Sequence, residues 1–245
     1  ASQYIPFAID EVNLDFQVLG PSANSEDSVD VLLAASRKEK VDDRVMVAEL
    51  AGLKPVIIDV EPYAARISID SIISQLPAGG EGLILAVFDI GQTATRLSVV
   101  YNGQTIFERE QPFGGSKLTQ EIVRLYGLTV EEAELKKRTG DLPENYTTEL
   151  LHPFVEEGAT ELARSLQFFF SSTPYERVDR IFLAGGAAVT PGLAEAVLQK
   201  TSVTTEILSP FQGMEIGDSI SEKQMNLDAP ALLVSCGLAM RRFDQ

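Results

Sequence analysis

The sequence predicts an α/β protein, and three stretches carry that expectation. LILAVFDI, Leu83 to Ile90, is a continuous apolar run of the kind found in a strand whose sheet is covered on both faces. RLSVVY and QTIFERE flank Asn102-Gly103, a strong two-residue hairpin signal because both residues tolerate positive φ. IFLAGGAAVTPGLAEAVLQK passes from an apolar strand through paired glycines into a helix.

Earlier in the chain, Val12, Leu14, Phe16 and Val18 alternate with Asn13, Asp15 and Gln17, the period-2 pattern of a strand with one wet face. GPSANSED, Gly20 to Asp27, reads as a turn and Val29 to Ser36 as a second strand. A helix is predicted over about Val41 to Ala51 with Gly52 as its C-terminal cap, followed by a strand over Pro55 to Val60. These pieces make a small β-β-α-β unit over residues 1–61.

Pro62 suits the first turn of a helix reaching about Gln75, and Pro77 to Gly82 reads as a loop. Beyond the hairpin, Phe113-Gly114-Gly115 leads into a helix predicted over Lys117 to Tyr126. Thr129 and Glu132 form a capping box, which places Glu134 and Lys137 on the helix that it opens. A longer helical stretch is predicted over Thr147 to Ser171. In GGAAVTPG, Thr190 is the predicted cap of the next helix and Pro191 its first position. Ser209 to Asn226 is poorly patterned, and a closing helix is predicted over Pro230 to Arg242.

A length of 245 residues allows one large domain or two modest ones, and 44% hydrophobic content is ordinary for a globular chain. Twenty basic against 36 acidic residues give a formal charge of −16, which repels nucleic acid and anionic lipid, so neither is an expected partner. No run approaches the roughly 18 to 20 apolar residues of a membrane span, and no direct membrane insertion is expected. The single cysteine, Cys236, builds no internal disulfide, fits a reducing compartment such as the cytoplasm, and reads as an inert buried thiol between apolar neighbours.

Chemistry concentrates in the turns. Asp89 ends the apolar strand and is placed to accept from the waters of a Mg²⁺ ion, which takes few direct carboxylates. Gly91 allows close backbone approach to a phosphate, and Gln92, Thr93 and Thr95 follow with amide and hydroxyl donors. Gly185, Gly186 and Ala187 open a second turn, where bare backbone and a helix N-terminus favour a flat or anionic ligand. Taken singly, each turn is as well explained by tight-turn geometry.

Taken together, DxG and then GGxxxxPG, with Gly114-Gly115 and Glu134/Lys137 between them, resemble the second half of the actin-like ATPases, a ribonuclease H-like fold. AELKK, Ala133 to Lys137, is similar to the helix that edges the adenosine in the cell-division relative FtsA. ASQYIPFAIDEVNLDFQVLG, VDVLLAASRKEKVDDRV, AGLKPVIIDVEPYA, RSLQFFFSS and DAPALLVSCGLAMRRF resemble the PilM family of type IV pilus assembly proteins, over essentially the whole chain.

That resemblance implies an accessory IC-like subdomain at residues 1–61, a IIA-like subdomain at 62–114 and 172–245, and a IIB-like subdomain at 115–171. It implies ATP with Mg²⁺ as cofactor and Asp89 as the metal-facing acid. Asp89, Gly91, Gln92, Thr93, Thr95, Gly114, Gly115, Glu134, Lys137, Gly185, Gly186 and Ala187 are the matching nucleotide contacts. It also implies a cytoplasmic scaffold, peripheral to the inner membrane through the cytoplasmic tail of PilN, which IA and IC subdomains of such proteins clasp. The family carries a DxG loop in each half and this sequence shows one, so subdomain IA and the other wall of the nucleotide cleft are expected to lie outside it. PilN-tail binding and nucleotide occupancy by this stretch alone are accordingly expected to be weak or absent.

Other residues have plainer readings. His152, with one cysteine in the chain, builds no transition-metal cluster and suits a surface helix start. Phe168 to Phe170 read as core, Glu39 to Arg44 as a solvated helical turn, and Ile5-Pro6-Phe7 as a packed entry to the first unit. A second functional class, a small-molecule phosphotransferase of the sugar-kinase kind, shares the fold but needs a base beside its acceptor hydroxyl, and none stands out. A filament of the FtsA kind adds a membrane-targeting helix that MRRFDQ does not resemble.

Overall fold

The computed structural model describes residues 5–22 and 28–241, so most of the predicted Gly20 to Asp27 turn, and Arg242 of the closing helix, lie outside the described residues. The chain divides into two compact units, Ala1–Tyr63 and Ala64–Gln245.

In the first unit β1 (Val12–Pro21) and β2 (Val29–Arg37) form an antiparallel pair, and α1 (Lys38–Leu50) follows. Gly52, at φ 75°, turns the chain out of α1 in the left-handed conformation open to glycine. Two expectations are corrected. The predicted strand at Pro55 to Val60 is not formed: residues 53–60 carry neither helix nor strand, and Val56 and Ile57 are 82% and 58% exposed. β-branched residues favour extended backbone, but a strand also needs a partner edge to pair with. The alternation in β1 does not make a dry face either, for Phe16 and Val18 are more than half exposed while Val12 is buried. Ile5 is buried and Phe7 half-exposed, with the Arg37 guanidinium 5.7 Å from its ring.

The second unit is built on a five-stranded mixed sheet. α2 (Glu61–Ile73) precedes β3 (Ile84–Ile90), β4 (Thr95–Tyr101) and β5 (Gln104–Gln111), with β4 antiparallel to both β3 and β5. Asn102 and Gly103, both at positive φ, make the hairpin turn. Then come α3 (Ser116–Tyr126), α4 (Val130–Thr139), α5 (His152–Ser172), β6 (Arg180–Ala184), α6 (Leu193–Thr201), β7 (Thr205–Ile207), α7 (Glu222–Asp228) and α8 (Leu233–Met240). β6 lies parallel to β3, and β7 parallel to β6, giving the order β5-β4-β3-β6-β7.

The continuous apolar run of β3 is explained by burial on both sides. Ile84, Ala86, Phe88 and Ile90 join a core with Leu118 and Ile122 of α3, Leu162 and Phe169 of α5, and Val197 of α6. Leu85 and Val87 face a second core with Ile69, Ile72 and Ile73 of α2 and Leu233 of α8. Alternate residues of one strand thus serve two layers of helix.

Local signals hold in most places. The capping box at α4 is complete, with Glu132 N donating to Thr129 Oγ1 at 3.2 Å and Thr129 N to Glu132 Oε2 at 2.8 Å. A π-turn at Thr147–Leu151 leads directly into α5, whose first residue, His152, is exposed. Cys236 is buried. The aromatic triplet divides, correcting its reading as core: Phe169 is fully buried, whereas Phe168 is 47% exposed under the Arg109 guanidinium at 4.0 Å. α6 also begins later than predicted. Its cap is Gly192, and Thr190 Oγ1 instead donates back to Ala187 O at 2.7 Å, closing a turn before the helix.

Candidate functional site

Because β3 and β6 are parallel neighbours with Asp89 opposite Ala184, the turns that leave them emerge at the same end of the sheet. Carboxyl ends of parallel strands are where open α/β sheets take ligands. Gly185 stands at φ 87°, and a β-carbon there would lie 2.5 Å from Asp89 Oδ1 and against Ile90 O. No other residue type allows the two turns to close up in this way. Ala187 N donates to Ile90 O at 3.0 Å, and Gly185 N to Pro230 O at 2.7 Å, so the second turn is bonded to the end of β3 and to the segment before α8.

Gly114 and Gly115 join the same assembly. Gly115 N donates to Gly91 O at 3.0 Å and Ser116 N to Gln92 O at 2.8 Å, so two amides at the start of α3 are satisfied by the loop after Asp89. A β-carbon on Gly114 would lie 2.5 Å from Gln92 O, and one on Gly115 3.2 Å from Ala187 Cβ. Three glycine turns, far apart along the chain, therefore meet at one place.

Their exposure sorts the predicted contacts. Gln92, Thr93 and Gly186 are exposed, and Asp89, Gly91 and Gly115 are half-buried. Gly114, Gly185 and Ala187 are buried and act by allowing turns to pack. Thr95, expected to offer a hydroxyl donor, does not: it is 1% exposed and donates to Phe113 O at 2.6 Å. Its proton is spent holding the end of β4 to the glycine turn, which corrects its place among the donors.

Glu134 and Lys137 sit on one face of α4, three residues apart, and meet Thr119 of α3. Lys137 Nζ donates to Glu134 Oε1 at 2.8 Å and to Thr119 Oγ1 at 2.7 Å, and Thr119 Oγ1 donates to Glu134 Oε1. Burial pushes the Glu134 carboxyl upward, but the hydrogen bonds from Lys137 and Thr119 and the charges of Lys137 and Arg138 outweigh it, leaving it below the usual glutamate value. Thr119 was not among the predicted residues. Its signal was a hydroxyl one position after Leu118 and three before Ile122, inside the buried stripe of α3.

The donor set suits the cofactor that the resemblance implies. Among the described residues no three His, Cys, Asp or Glu side chains gather to hold a metal outright. One carboxylate, such as that of Asp89, is compatible with Mg²⁺, which keeps its waters and takes phosphate oxygens for most of its shell. A β-carbon on exposed Gly186 would meet only Ala231 Cβ, at 3.8 Å, so its bare face offers room for a flat group. Beside Thr93 a shallow hollow of about 320 Å³ is lined by Thr93, Ala94, Glu110, Gln111 and Pro112.

Comparison with known proteins agrees with this architecture. A solved PilM-PilN type IV pilus biogenesis complex matches 98% of this chain and 69% of the solved chain at 29% identity, with a TM-score of 0.78. The ethanolamine utilization protein EutJ from Carboxydothermus hydrogenoformans matches 84% of this chain and 62% of its own at 19% identity and a TM-score of 0.58. MreB 5 of Spiroplasma citri, solved bound to AMPPNP, matches 85% of this chain and 66% of its own at 16% identity and a TM-score of 0.54. The fold is that of the actin-like proteins, as the glycine turns implied. The sequence profile described as type IV pilus assembly protein PilM covers residues 1–243, and with that sheet order and those turns in place the chain belongs to the PilM family.

Proposed function

We propose that this chain forms one wall of an ATP–Mg²⁺ site in an actin-like scaffold of the type IV pilus machinery, serving pilus biogenesis and twitching motility. The observation that carries this reading is the meeting of the Asp89-Gly91, Gly114-Gly115 and Gly185-Gly186 turns at one end of the sheet. In it, Asp89 faces the metal's waters, Gln92 and Thr93 bound the phosphates, Gly186 underlies the nucleoside, and Glu134 with Lys137 edges it. Bound Mg²⁺ supplies the positive charge that lets a polyphosphate sit beside a carboxylate in a chain of net charge −16.

Binding rather than turnover is the working step. A nucleotide shifts an equilibrium between open and closed forms only by its difference in affinity for them, and a scaffold needs no more. The partner is the cytoplasmic tail of PilN, which ties the scaffold to the inner membrane from the cytoplasmic side; among the described residues no helix is long and apolar enough to cross a membrane itself. The IC-like residues 1–61 support this, for Phe16 (65%), Leu50 (81%) and Val56 (82%) expose apolar surface that an extended peptide can cover.

The test is Asp89→Ala in the full-length protein, with Mg²⁺-dependent ATP binding followed by calorimetry and the fold by circular dichroism. Loss of binding with the fold retained supports the assignment. Unchanged binding overturns it.

A further inference from the structure

We propose that Thr119 is a positioning residue for the Glu134/Lys137 end of the site, its buried hydroxyl fixing the Glu134 carboxylate so that one oxygen stays open to a ligand. Thr119 is 2% exposed and makes polar contacts with three partners: Glu134 Oε1, Lys137 Nζ at 2.7 Å and Gly115 O at 3.2 Å. A hydroxyl carries one proton, and the shorter contact takes it to Glu134, leaving Gly115 O as the alternative acceptor. Lys137 donates into the hydroxyl's lone pair and into the same carboxylate oxygen.

Both hydrogen bonds that Glu134 accepts fall on Oε1, and among the described residues none falls on Oε2. The carboxylate is therefore tethered by one oxygen and offers the other, in charged form, as an acceptor for a hydroxyl or amine donor. The hydroxyl tether joins α3 to α4, and Thr119 N, donating to Gly115 O at 3.3 Å, continues it into the turn that bonds to Gly91. Thr119 thus connects the helix that edges the ligand to the loop after Asp89. A carboxylate held by a bond to a short, buried, β-branched side chain loses little further freedom when a ligand binds.

This inference rests on the nucleotide reading for its ligand, and two readouts separate them. In the full-length protein, Thr119→Val removes the hydroxyl at nearly constant shape, and Thr119→Ser keeps it. The first readout, in protein without nucleotide, is the Glu134 carboxyl titration by NMR. It moves up toward the ordinary glutamate value in Thr119→Val and stays low in Thr119→Ser; an unmoved titration in Thr119→Val overturns the tether. The second is displacement of a fluorescent ATP analogue in the presence of Mg²⁺. Loss of a tether to a charged group predicts binding roughly tenfold weaker in Thr119→Val, restored by Thr119→Ser. Equal binding by wild type and Thr119→Val overturns the positioning role. Wild-type protein that binds no nucleotide overturns the nucleotide reading instead, and the Glu134 titration still decides the tether.

Discussion

Asp89 Oδ1 lies 2.5 Å from the point a β-carbon on Gly185 would occupy, so the acid near the end of β3 and the first glycine after β6 are immediate neighbours. The parallel pairing of Asp89 with Ala184 brings them there, and the absent side chain at Gly185 permits it.

Gly185→Ala therefore places a methyl group on a carboxylate and a carbonyl while forcing φ 87° on a residue with a β-carbon. We expect a loss of about 2–4 kcal/mol in urea unfolding, from overpacking and left-handed strain together. Gly103→Ala is the control. It bears the same kind of strain at φ 71° but meets nothing within 4 Å, and is expected to cost about 1 kcal/mol. Equal losses in the two variants would show that crowding at Asp89 is not what requires glycine.

α8 crosses α2 at Gly237. A β-carbon there would run into Ala64 O and lie 2.6 Å from Ala64 C and 3.2 Å from Ser68 Oγ. Ser68 Oγ donates to Leu233 O at 2.7 Å across the same contact. Alanine normally favours a helix by about 1 kcal/mol over glycine, yet Gly237→Ala is expected to destabilise by about 2 kcal/mol or more because the helices must part. A melting temperature at or above wild type would refute the close crossing.

The adjacent aromatics of α5 separate core from surface. Phe169, fully buried against Phe107 and Tyr175, is expected to lose about 3–5 kcal/mol on truncation to alanine. Phe168, half-exposed beneath Arg109, is expected to lose no more than about 1 kcal/mol. Chemical denaturation of both variants reads the difference directly.

Acid should weaken the α3–α4 region. Glu132 sits below the usual glutamate value, chiefly through the Thr129 backbone N–H and then its hydroxyl, and Glu134 is lowered by the balance described above. A carboxyl whose folded value is depressed contributes stability that is present above its unfolded value and lost as pH falls through the folded one. Stability should therefore fall on acidification from the ordinary glutamate range downward. Thr129→Ala removes the cap at a cost of about 1 kcal/mol at neutral pH but keeps the backbone N–H that chiefly lowers Glu132, so most of this dependence remains. Denaturation curves at stepped pH values test both points; stability that rises on acidification would contradict the sign.

The fold was legible where local signals and burial agree. Asn102-Gly103 forms its turn, Thr129 and Glu132 close their box, and Leu83 to Ile90 runs through the centre of the sheet. Pro55 to Val60 misled because high β-propensity has no ladder to join there, and Thr190 because its hydroxyl found a carbonyl three residues back. β7 is a three-residue edge strand, too short to show a period. Thr119 was hidden in a buried helical stripe, where a threonine looks like any small core residue.

What the amino-acid order determined by itself was the set of turns: an acid and a glycine after one strand, paired glycines after another, and a Glu/Lys pair on a capped helix. These depend on φ/ψ preferences and on hydrogen bonds spanning a few residues, which are local quantities. Only the tertiary structure decided that the turns meet and which hydroxyls stay available. Parallel pairing of β3 with β6 joined Asp89 to Gly185, and close packing then spent Thr95 on Phe113 and recruited Thr119 to Glu134. Whether a polar side chain serves a ligand or the protein depends on which neighbour reaches it, and in this fold those neighbours come from distant parts of the chain.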